Sequence, residues 1–197
     1  MTSRTCLLAL FTLPLYAQSL SGDAVVKALR QGGYVIVMRH ASSPREAPDK
    51  LTANPDNTAD ERQLDVEGRE SAIAMGKAIR RLKIPLGEVF TSPTYRALET
   101  VLLAQFRNPR PQAELGDNGQ SMQGGTEAQA AWLRKKVTQF PSGTNMLLIT
   151  HVPNITGAFP QLKPTPEDGE SLVYGPDGKG GAMLVARVKI EEWTKMR

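Results

Sequence analysis

The chain has 197 residues, of which 40% are hydrophobic and 22% charged, and its formal net charge is +4. This length suits one domain with a sizeable core, and no apolar run is long enough to span a bilayer. The positive charge is small, and its basic pairs fall late in predicted helices, where they complement the helix dipole. The sequence therefore does not favour a nucleic-acid partner.

Residues 1–17 are predicted to be a secretory signal peptide. They contain Arg4, then an apolar stretch, then Ala17 at a suitable cleavage point. A buried N-terminal helix or a weak anchor is the alternative interpretation. Cys6 is the only cysteine, so a mature chain would lack disulfides, thiol catalysis and cysteine-metal sites. We expect a single domain over residues 18–197, in the periplasm or secreted.

Helices and strands are predicted to alternate along this domain. The first predicted elements are a helix over 21–31 capped by Ser21, a strand over 34–39, a long loop over 41–64, a helix from Asp65 to about Leu82, and a strand over 88–92. The later ones are a helix from Pro93 to about Phe106, an irregular stretch over 107–125, a helix opened by a Thr126–Gln129 capping box, a strand over 146–150, and a hairpin of strands over 170–174 and 182–190.

Short apolar strands that alternate with helices indicate a parallel sheet covered on both faces. The last two strands are joined by the turn sequence PDGKGG, which is typical of a hairpin. We therefore predict a three-layer α/β/α sandwich. Its sheet is mainly parallel, with a C-terminal antiparallel hairpin at the edge.

Both histidines of the chain follow predicted core strands. The stretch VIVMRHAS places Arg39 and His40 after the first strand, and MLLITH places His151 after a later one. In open α/β sheets, ligands bind beyond the carboxyl ends of the strands. These three ionisable groups are therefore predicted to lie on the functional rim of the sheet.

A fourth polar group comes from the stretch SPTYRALET. If Ser92 caps this helix and Pro93 takes its first position, Arg96 falls in the first turn. The helix dipole disfavours a cation there, unless an anion binds between the free N–H groups and the guanidinium. An exposed Arg96 that pairs with a neighbouring glutamate is the other interpretation.

Together the three motifs resemble those of the histidine phosphatase superfamily, which includes phosphoglycerate mutases, small phosphohistidine phosphatases and acid phosphatases. The family pattern is Arg-His-Gly near the N-terminus, Ser-Pro-x-x-Arg-x-x-x-Thr in the middle, and a second His after a late strand. This chain has MRHASSP with Ala41 in place of Gly, a complete SPTYRALET, and ITHVPNI. The motifs follow the family order, and the match covers about residues 32–190.

The resemblance implies a phosphomonoester hydrolase without metal or cofactor. His40 would attack phosphorus and carry the phosphoryl group, while Arg39, Arg96 and His151 would surround its oxygens. Two histidines without a mature cysteine also make a poor transition-metal site. The implied partner is a small phosphorylated substrate, and the sequence makes no prediction of an oligomeric state.

Hydrolysis is favoured over mutase activity because the chain is shorter than typical phosphoglycerate mutases and is predicted to be exported. Two other functions stay open at this point. One is a non-catalytic phosphate-binding relative that keeps the pocket. The other is a cytoplasmic protein-phosphohistidine phosphatase, if residues 1–17 are not a signal.

The general acid is the role that the sequence determines least. Some superfamily members have Asp directly after the second His, but Val152 stands there in this chain. Glu114, Asp117 and Glu170 are the remaining candidates for a carboxylic acid with a raised pKa. Glu170 is favoured because Gly169 allows close backbone approach and the following apolar residues could desolvate the carboxyl. Asp117 is second, since its Gly- and Asn-rich loop would hydrate it.

Overall fold

The computed structural model describes residues 19–44, 62–117 and 126–197. The predicted signal peptide and most of the predicted loop over 41–64 lie outside these residues. The helices are α1 (Asp23–Gln31), α2 (Val66–Arg81), α3 (Tyr95–Leu103), α4 (Glu127–Lys136) and α5 (Val152–Ala158). The strands are β1 (Val35–Arg39), β2 (Leu86–Thr91), β3 (Arg110–Pro111), β4 (Asn145–Thr150), β5 (Ser171–Pro176) and β6 (Ala182–Val188). In the described part of the chain, no helix combines the length and apolar character needed to cross a membrane.

All six strands form one sheet, in the order β3-β2-β4-β1-β5-β6. Strands β1 to β4 are parallel to their neighbours within this group. Strand β5 runs antiparallel to β1, and β6 runs antiparallel to β5. This arrangement confirms the predicted mainly parallel sheet with a C-terminal hairpin at one edge.

Two hydrophobic cores lie on the two faces of the sheet. Side chains alternate along β1, so that Val35 and Val37 face one core while Ile36 and Met38 face the other. Helices α1, α2 and α3 pack on the Ile36 side, and α4 and α5 pack on the Val35 side. The three-layer α/β/α sandwich is thereby confirmed, and burial of both faces explains the unbroken apolar runs of the strands.

The two helix starts with the strongest capping signals form as predicted. The Asp65 side chain accepts a hydrogen bond from the Gly68 N–H and caps α2. Thr126 and Gln129 form the reciprocal capping box of α4. Both caps depend only on residues three apart, which explains why the sequence predicts them well.

Other boundaries differ from the prediction. Helix α1 begins after Gly22, and the Ser21 side chain does not cap it. Helix α3 begins at Tyr95 with Thr94 as its N-cap, so it starts two residues later than predicted. The Ser92 hydroxyl therefore lies before the helix, where it accepts a hydrogen bond from the Thr94 N–H at 3.2 Å and also reaches the site described below.

Strand β3, a 3₁₀ turn over Ala113–Leu115 and helix α5 are among the short elements that escaped the sequence prediction. None is long enough to show a hydrophobic period, and β3 exists only through its pairing with β2. The 3₁₀ turn and α5 both border the rim where the two histidines emerge, so these short elements shape the candidate site.

Helix α2 packs directly on the backbone that follows His40. A Cβ atom added at Gly68 would lie 2.0 Å from the carbonyl oxygen of Ser42. The Ser42 carbonyl also accepts a hydrogen bond from the Asp65 N–H at 3.2 Å. The glycine therefore permits a close approach that fixes the chain leaving His40.

Candidate active site

His40 and His151 leave neighbouring parallel strands at the same level of the sheet. Arg39 at the end of β1 is in register with Thr150 at the end of β4. The His40 N–H donates to the Thr150 carbonyl at 3.1 Å. The two imidazole centroids lie 5.1 Å apart with an interplanar angle of 60°, and each residue is 2% exposed. The strand ends thus bring the only two histidines of the chain into one buried group.

The hydrogen bonds of His40 define its tautomer. Its Nδ1 lies 2.7 Å from the Ala41 carbonyl oxygen, which can only accept, so Nδ1 carries the proton. Arg96 Nε donates to His40 Nε2 at 3.2 Å. A guanidinium can only donate, so Nε2 must present its lone pair. His40 therefore holds an unprotonated Nε2 directed into the site.

His151 is held in the complementary tautomer. Its Nδ1 lies 3.1 Å from Arg96 Nη2 and must accept a hydrogen bond from it. The proton of the neutral ring then sits on Nε2, which lies 2.9 Å from Ser92 Oγ and 3.3 Å from Thr94 Oγ1. These two hydroxyls stand at the start of α3 and fix the orientation of the ring.

Both imidazoles are held neutral. Burial lowers the pKa of His40 well below its usual value, and His151 and Arg96 lower it further against the opposing hydrogen bond to Ala41. Burial, followed by the charges of Arg96, Arg62 and Arg39, lowers the pKa of His151 well below its usual value. A neutral imidazole is the form that can attack phosphorus, so the low pKa of His40 suits a nucleophile.

These shifts predict that the free energy of unfolding falls as the pH is lowered from about 7 to about 5. Each folded-state pKa lies below the usual 6.5, so the unfolded chain takes up protons that the folded chain excludes. This contribution to the free energy of unfolding is fully present at pH values above the unfolded-state histidine pKa. Below that pKa it is lost, at up to about 1.4 kcal/mol per pH unit for each histidine. Urea unfolding at several pH values measures the slope. His151→Asn should flatten it, and an unchanged slope in that variant would contradict the prediction.

Arg96 connects the parts of the site. It lies in the first turn of α3 and is 5% exposed, so it is not the solvent-exposed arginine of the alternative interpretation. Its Nη2 donates to Asp117 Oδ2 and to His151 Nδ1, while its Nε donates to His40. One guanidinium thereby contacts both imidazoles and a carboxylate.

Asp117 is 6% exposed, in contrast to the hydrated position expected from its Gly- and Asn-rich sequence. Side chains from two other elements fix the preceding residue: Asn154 Nδ2 and Gln129 Nε2 donate to the Gly116 carbonyl at 2.9 and 2.8 Å. Thr150 Oγ1 donates to the Leu115 carbonyl at 2.8 Å. The carboxylate is therefore presented to Arg96 by an anchored segment.

Arg39 approaches the site differently from Arg96. Its Nη1 donates to the Pro166 carbonyl at 3.0 Å, and its Nη2 lies 2.5 Å from Asp168 Oδ1. The guanidinium is thus shared with the segment that follows α5, although its charge still acts on both histidines. Of the two predicted phosphate-binding arginines, Arg96 lies between the imidazoles and Arg39 lies beside them.

Glu170 has a different environment from the one that an acid requires. Its Oε1 lies 2.6 Å from Arg187 Nε, and its Oε2 accepts from Arg187 Nη2 and from the Glu167 N–H, both at 2.9 Å. Burial alone would raise the pKa of Glu170, but these hydrogen bonds outweigh it and hold the pKa below its usual value. The expected raised pKa is thus replaced by a stabilised carboxylate. The third candidate, Glu114, is half-buried and bonds Gln112 instead.

Three polar residues at the site were not singled out from the sequence: Arg62, Thr94 and Asp168. Thr94 lies inside the SPTYR motif, so a hydroxyl two residues after Ser92 was an available signal. Arg62 and Asp168 come from loops, and no local pattern marks them. Arg62 lies within electrostatic range of both Arg96 and Asp117.

The charges of the site favour an anion. Three guanidinium groups stand against two carboxylates and two neutral imidazoles; the charged members are Arg39, Arg62, Arg96, Asp117 and Asp168. Within residues 19–44, 62–117 and 126–197, no three His, Cys, Asp or Glu side chains are grouped so as to hold a metal ion. The excess positive charge and the many N–H donors suit a phosphate group.

Solved structures with the same architecture identify the fold. The protein histidine phosphatase SixA complexed with tungstate superposes with a TM-score of 0.57 at 17% identity, covering 80% of this chain and 97% of SixA. This chain has the histidine phosphatase fold. A phosphoserine phosphatase from Entamoeba histolytica in complex with 3-phosphoglyceric acid shares it, with a TM-score of 0.57 at 13% identity over 81% of this chain and 98% of that one.

YhfR from Bacillus stearothermophilus also matches, with a TM-score of 0.54 at 18% identity over 77% of this chain and 94% of YhfR. No protein-family profile matches the chain, and no curated protein sequence matches it. The histidine phosphatase fold is therefore established by structural superposition, at sequence identities of 13% to 18%.

Proposed function

We propose that this chain is a phosphomonoester hydrolase of the histidine phosphatase superfamily, with His40 as its nucleophile. The observation that carries the proposal is the unprotonated Nε2 of His40, which faces Arg96 beside His151 in a buried group. The three motifs and the fold support the same conclusion. Its substrate is a small phosphorylated molecule.

In the first step, the lone pair of His40 Nε2 attacks phosphorus, and the bond from phosphorus to the ester oxygen breaks. The phosphoryl group becomes attached to Nε2, and the alcohol leaves after it takes up a proton. Water then attacks phosphohistidine, which releases inorganic phosphate and regenerates the neutral imidazole. The Nδ1–H bond to the Ala41 carbonyl stabilises the positive charge that develops on the ring during attack.

Arg96 and His151 stabilise the charge that spreads over the phosphoryl oxygens. In the complex, Arg96 turns its Nε–H and Nη–H groups from the imidazoles to these oxygens. Arg39 adds positive charge from the side of the site. None of these steps requires a metal ion, and we propose that the activity is metal-independent.

We propose Asp117 as the general acid, in place of Glu170. Asp117 is bonded to the same guanidinium that contacts His40, whereas the Glu170 carboxylate is committed to Arg187. A bound phosphoryl dianion would compete with Asp117 for Arg96. As a like charge, it would also favour the protonated carboxyl that a leaving alkoxide needs.

We further propose that residues 1–17 are removed as a signal peptide and that residues 18–197 act in the periplasm or outside the cell. The apolar stretch after Arg4 supports this location. N-terminal sequencing of the mature protein from a bacterial envelope fraction tests it. Recovery of the intact N-terminus from the cytoplasm would instead support the protein-phosphohistidine phosphatase alternative.

Turnover of p-nitrophenyl phosphate by chelator-treated protein tests the enzymatic proposal, and vanadate should inhibit it competitively. Arg96→Ala should lower kcat/KM by at least about 10²-fold, comparable to the loss of one oxyanion donor. Arg96→Lys should also be impaired, because a point charge does not replace a two-pronged fork. Arg110→Ala, which removes an exposed arginine paired with Glu88, is the matched control.

Anion binding without turnover in the wild type would favour the non-catalytic phosphate-binding alternative. Loss of activity after chelation, restored by a metal ion, would contradict metal independence. A normal kcat/KM in Arg96→Ala would contradict the proposal that Arg96, in the first turn of α3, stabilises the phosphoryl oxygens.

A further inference from the structure

Arg62 is a half-buried arginine at the edge of the site. Its Nε is buried, and none of the described residues accepts a hydrogen bond from it. The charged groups that act on it are Arg96, Asp117, Arg39 and Asp168. These are the charged groups of the candidate active site, so Arg62 belongs to the same cluster without a described hydrogen-bond partner of its own.

The backbone after Arg62 is fixed to the elements that carry the site. The Leu64 N–H donates to Glu99 Oε2 at 2.9 Å, and Glu99 lies one turn after Arg96 on α3. Ser42 Oγ donates to Asp65 Oδ2 at 2.7 Å. The chain is therefore tied to α3 on one side and to the segment after His40 on the other, which holds Arg62 at the rim.

The surroundings of Arg62 disfavour its charged form. Burial and the charge of Arg96 lower the pKa of Arg62 to about 10, and Asp117 only partly offsets them. A base with a lowered folded-state pKa costs stability at every pH at which it stays protonated, which includes neutral pH. A half-buried cation with this cost, whose buried Nε finds no acceptor among the described residues, is typical of a binding site rather than of a structural ion pair.

We propose that Arg62 is a further ligand of the phosphoryl group, which donates hydrogen bonds to its oxygens in the substrate complex. This inference rests on the proposed hydrolase function and specifies its substrate class. With Arg62 included, three arginines stand against two carboxylates, which leaves one positive charge in excess. Protonation of Asp117 in the substrate complex, as its proposed role of general acid requires, raises this excess to two positive charges. A phosphomonoester dianion fits this requirement better than a phosphodiester, which carries one negative charge and a second substituent on phosphorus.

Calorimetric titration with inorganic phosphate tests the inference independently of turnover. Arg62→Gln should weaken phosphate binding by about 10- to 100-fold, the range for lost hydrogen bonds to a charged group. Arg62→Lys should fall between Arg62→Gln and the wild type. Arg110→Gln removes the same charge from an exposed side chain that pairs with Glu88, and this variant should bind phosphate like the wild type. Without phosphate, Arg62→Gln should melt no lower than the wild type, and added phosphate should raise its melting temperature less.

Two results would overturn the inference while leaving the hydrolase proposal intact. One is wild-type phosphate affinity in Arg62→Gln. The other is a lowered melting temperature in both Arg62→Gln and Arg62→Lys without phosphate, because a structural role predicts that loss and a ligand role does not. If the wild type neither binds phosphate nor hydrolyses p-nitrophenyl phosphate, the proposed function itself fails.

Discussion

His40→Ala is expected to abolish turnover of p-nitrophenyl phosphate, with a loss of about 10⁴-fold or more, while the fold stays intact. A nucleophile cannot be replaced by its neighbours, so its removal costs more than the loss of any single phosphate ligand. His40 lies just beyond β1, and its backbone N–H bond to Thr150 does not depend on the side chain. Circular dichroism and the melting temperature verify that the variant is folded.

Rapid quenching of the wild type with ³²P-labelled substrate should trap a phosphoenzyme that is stable in base and labile in acid, as phosphohistidine is. His40→Ala should trap none. His151→Ala is the matched control, because it loses a buried imidazole from the same group but keeps the nucleophile. Label retained by His40→Ala, or normal turnover by that variant, would contradict the assignment of His40.

The sequence predicted the fold well wherever signals were local. The unbroken apolar runs of β1 and β4, and caps such as Asp65 on α2, depend on neighbouring residues alone. Helix α5 has seven residues with a proline in its first turn, and β3 has two residues that pair only with β2. Such elements owe their existence to tertiary contacts, so no periodicity reveals them.

The site was predictable to the extent that topology determines it. His40 and His151 follow strands, and the rule that parallel strands end at one edge placed them together. The environment of Glu170 was not predictable, because its partner Arg187 lies 17 residues away on a strand whose register the sequence does not specify. The burial of Asp117 likewise depends on Asn154 and Gln129, which approach it from α5 and α4.

The identity of the general acid can be decided by leaving-group dependence. Asp117→Asn should lower kcat/KM for an alkyl phosphate by about 10²- to 10⁴-fold, since an alkoxide needs a proton to depart. The same variant should affect p-nitrophenyl phosphate much less, because nitrophenolate leaves readily without protonation. Asp117→Asn also frees Arg96 from its carboxylate, but this change acts on the phosphoryl group that both esters share. The ratio of the two rate losses therefore isolates proton donation.

Glu170→Gln is the matched control for this measurement, since it also converts a buried carboxylate into an amide. It weakens the ion pair with Arg187 and should destabilise the fold by about 1–3 kcal/mol, which urea unfolding can measure. Folded Glu170→Gln should hydrolyse both esters in the wild-type ratio. In the wild type, Arg187 holds the Glu170 carboxylate ionised, so Glu170 has no proton to donate. If Glu170→Gln instead shows the selective loss for the alkyl ester, while Asp117→Asn slows both esters equally, the proton comes from Glu170 and its bonds to Arg187 must open during the reaction.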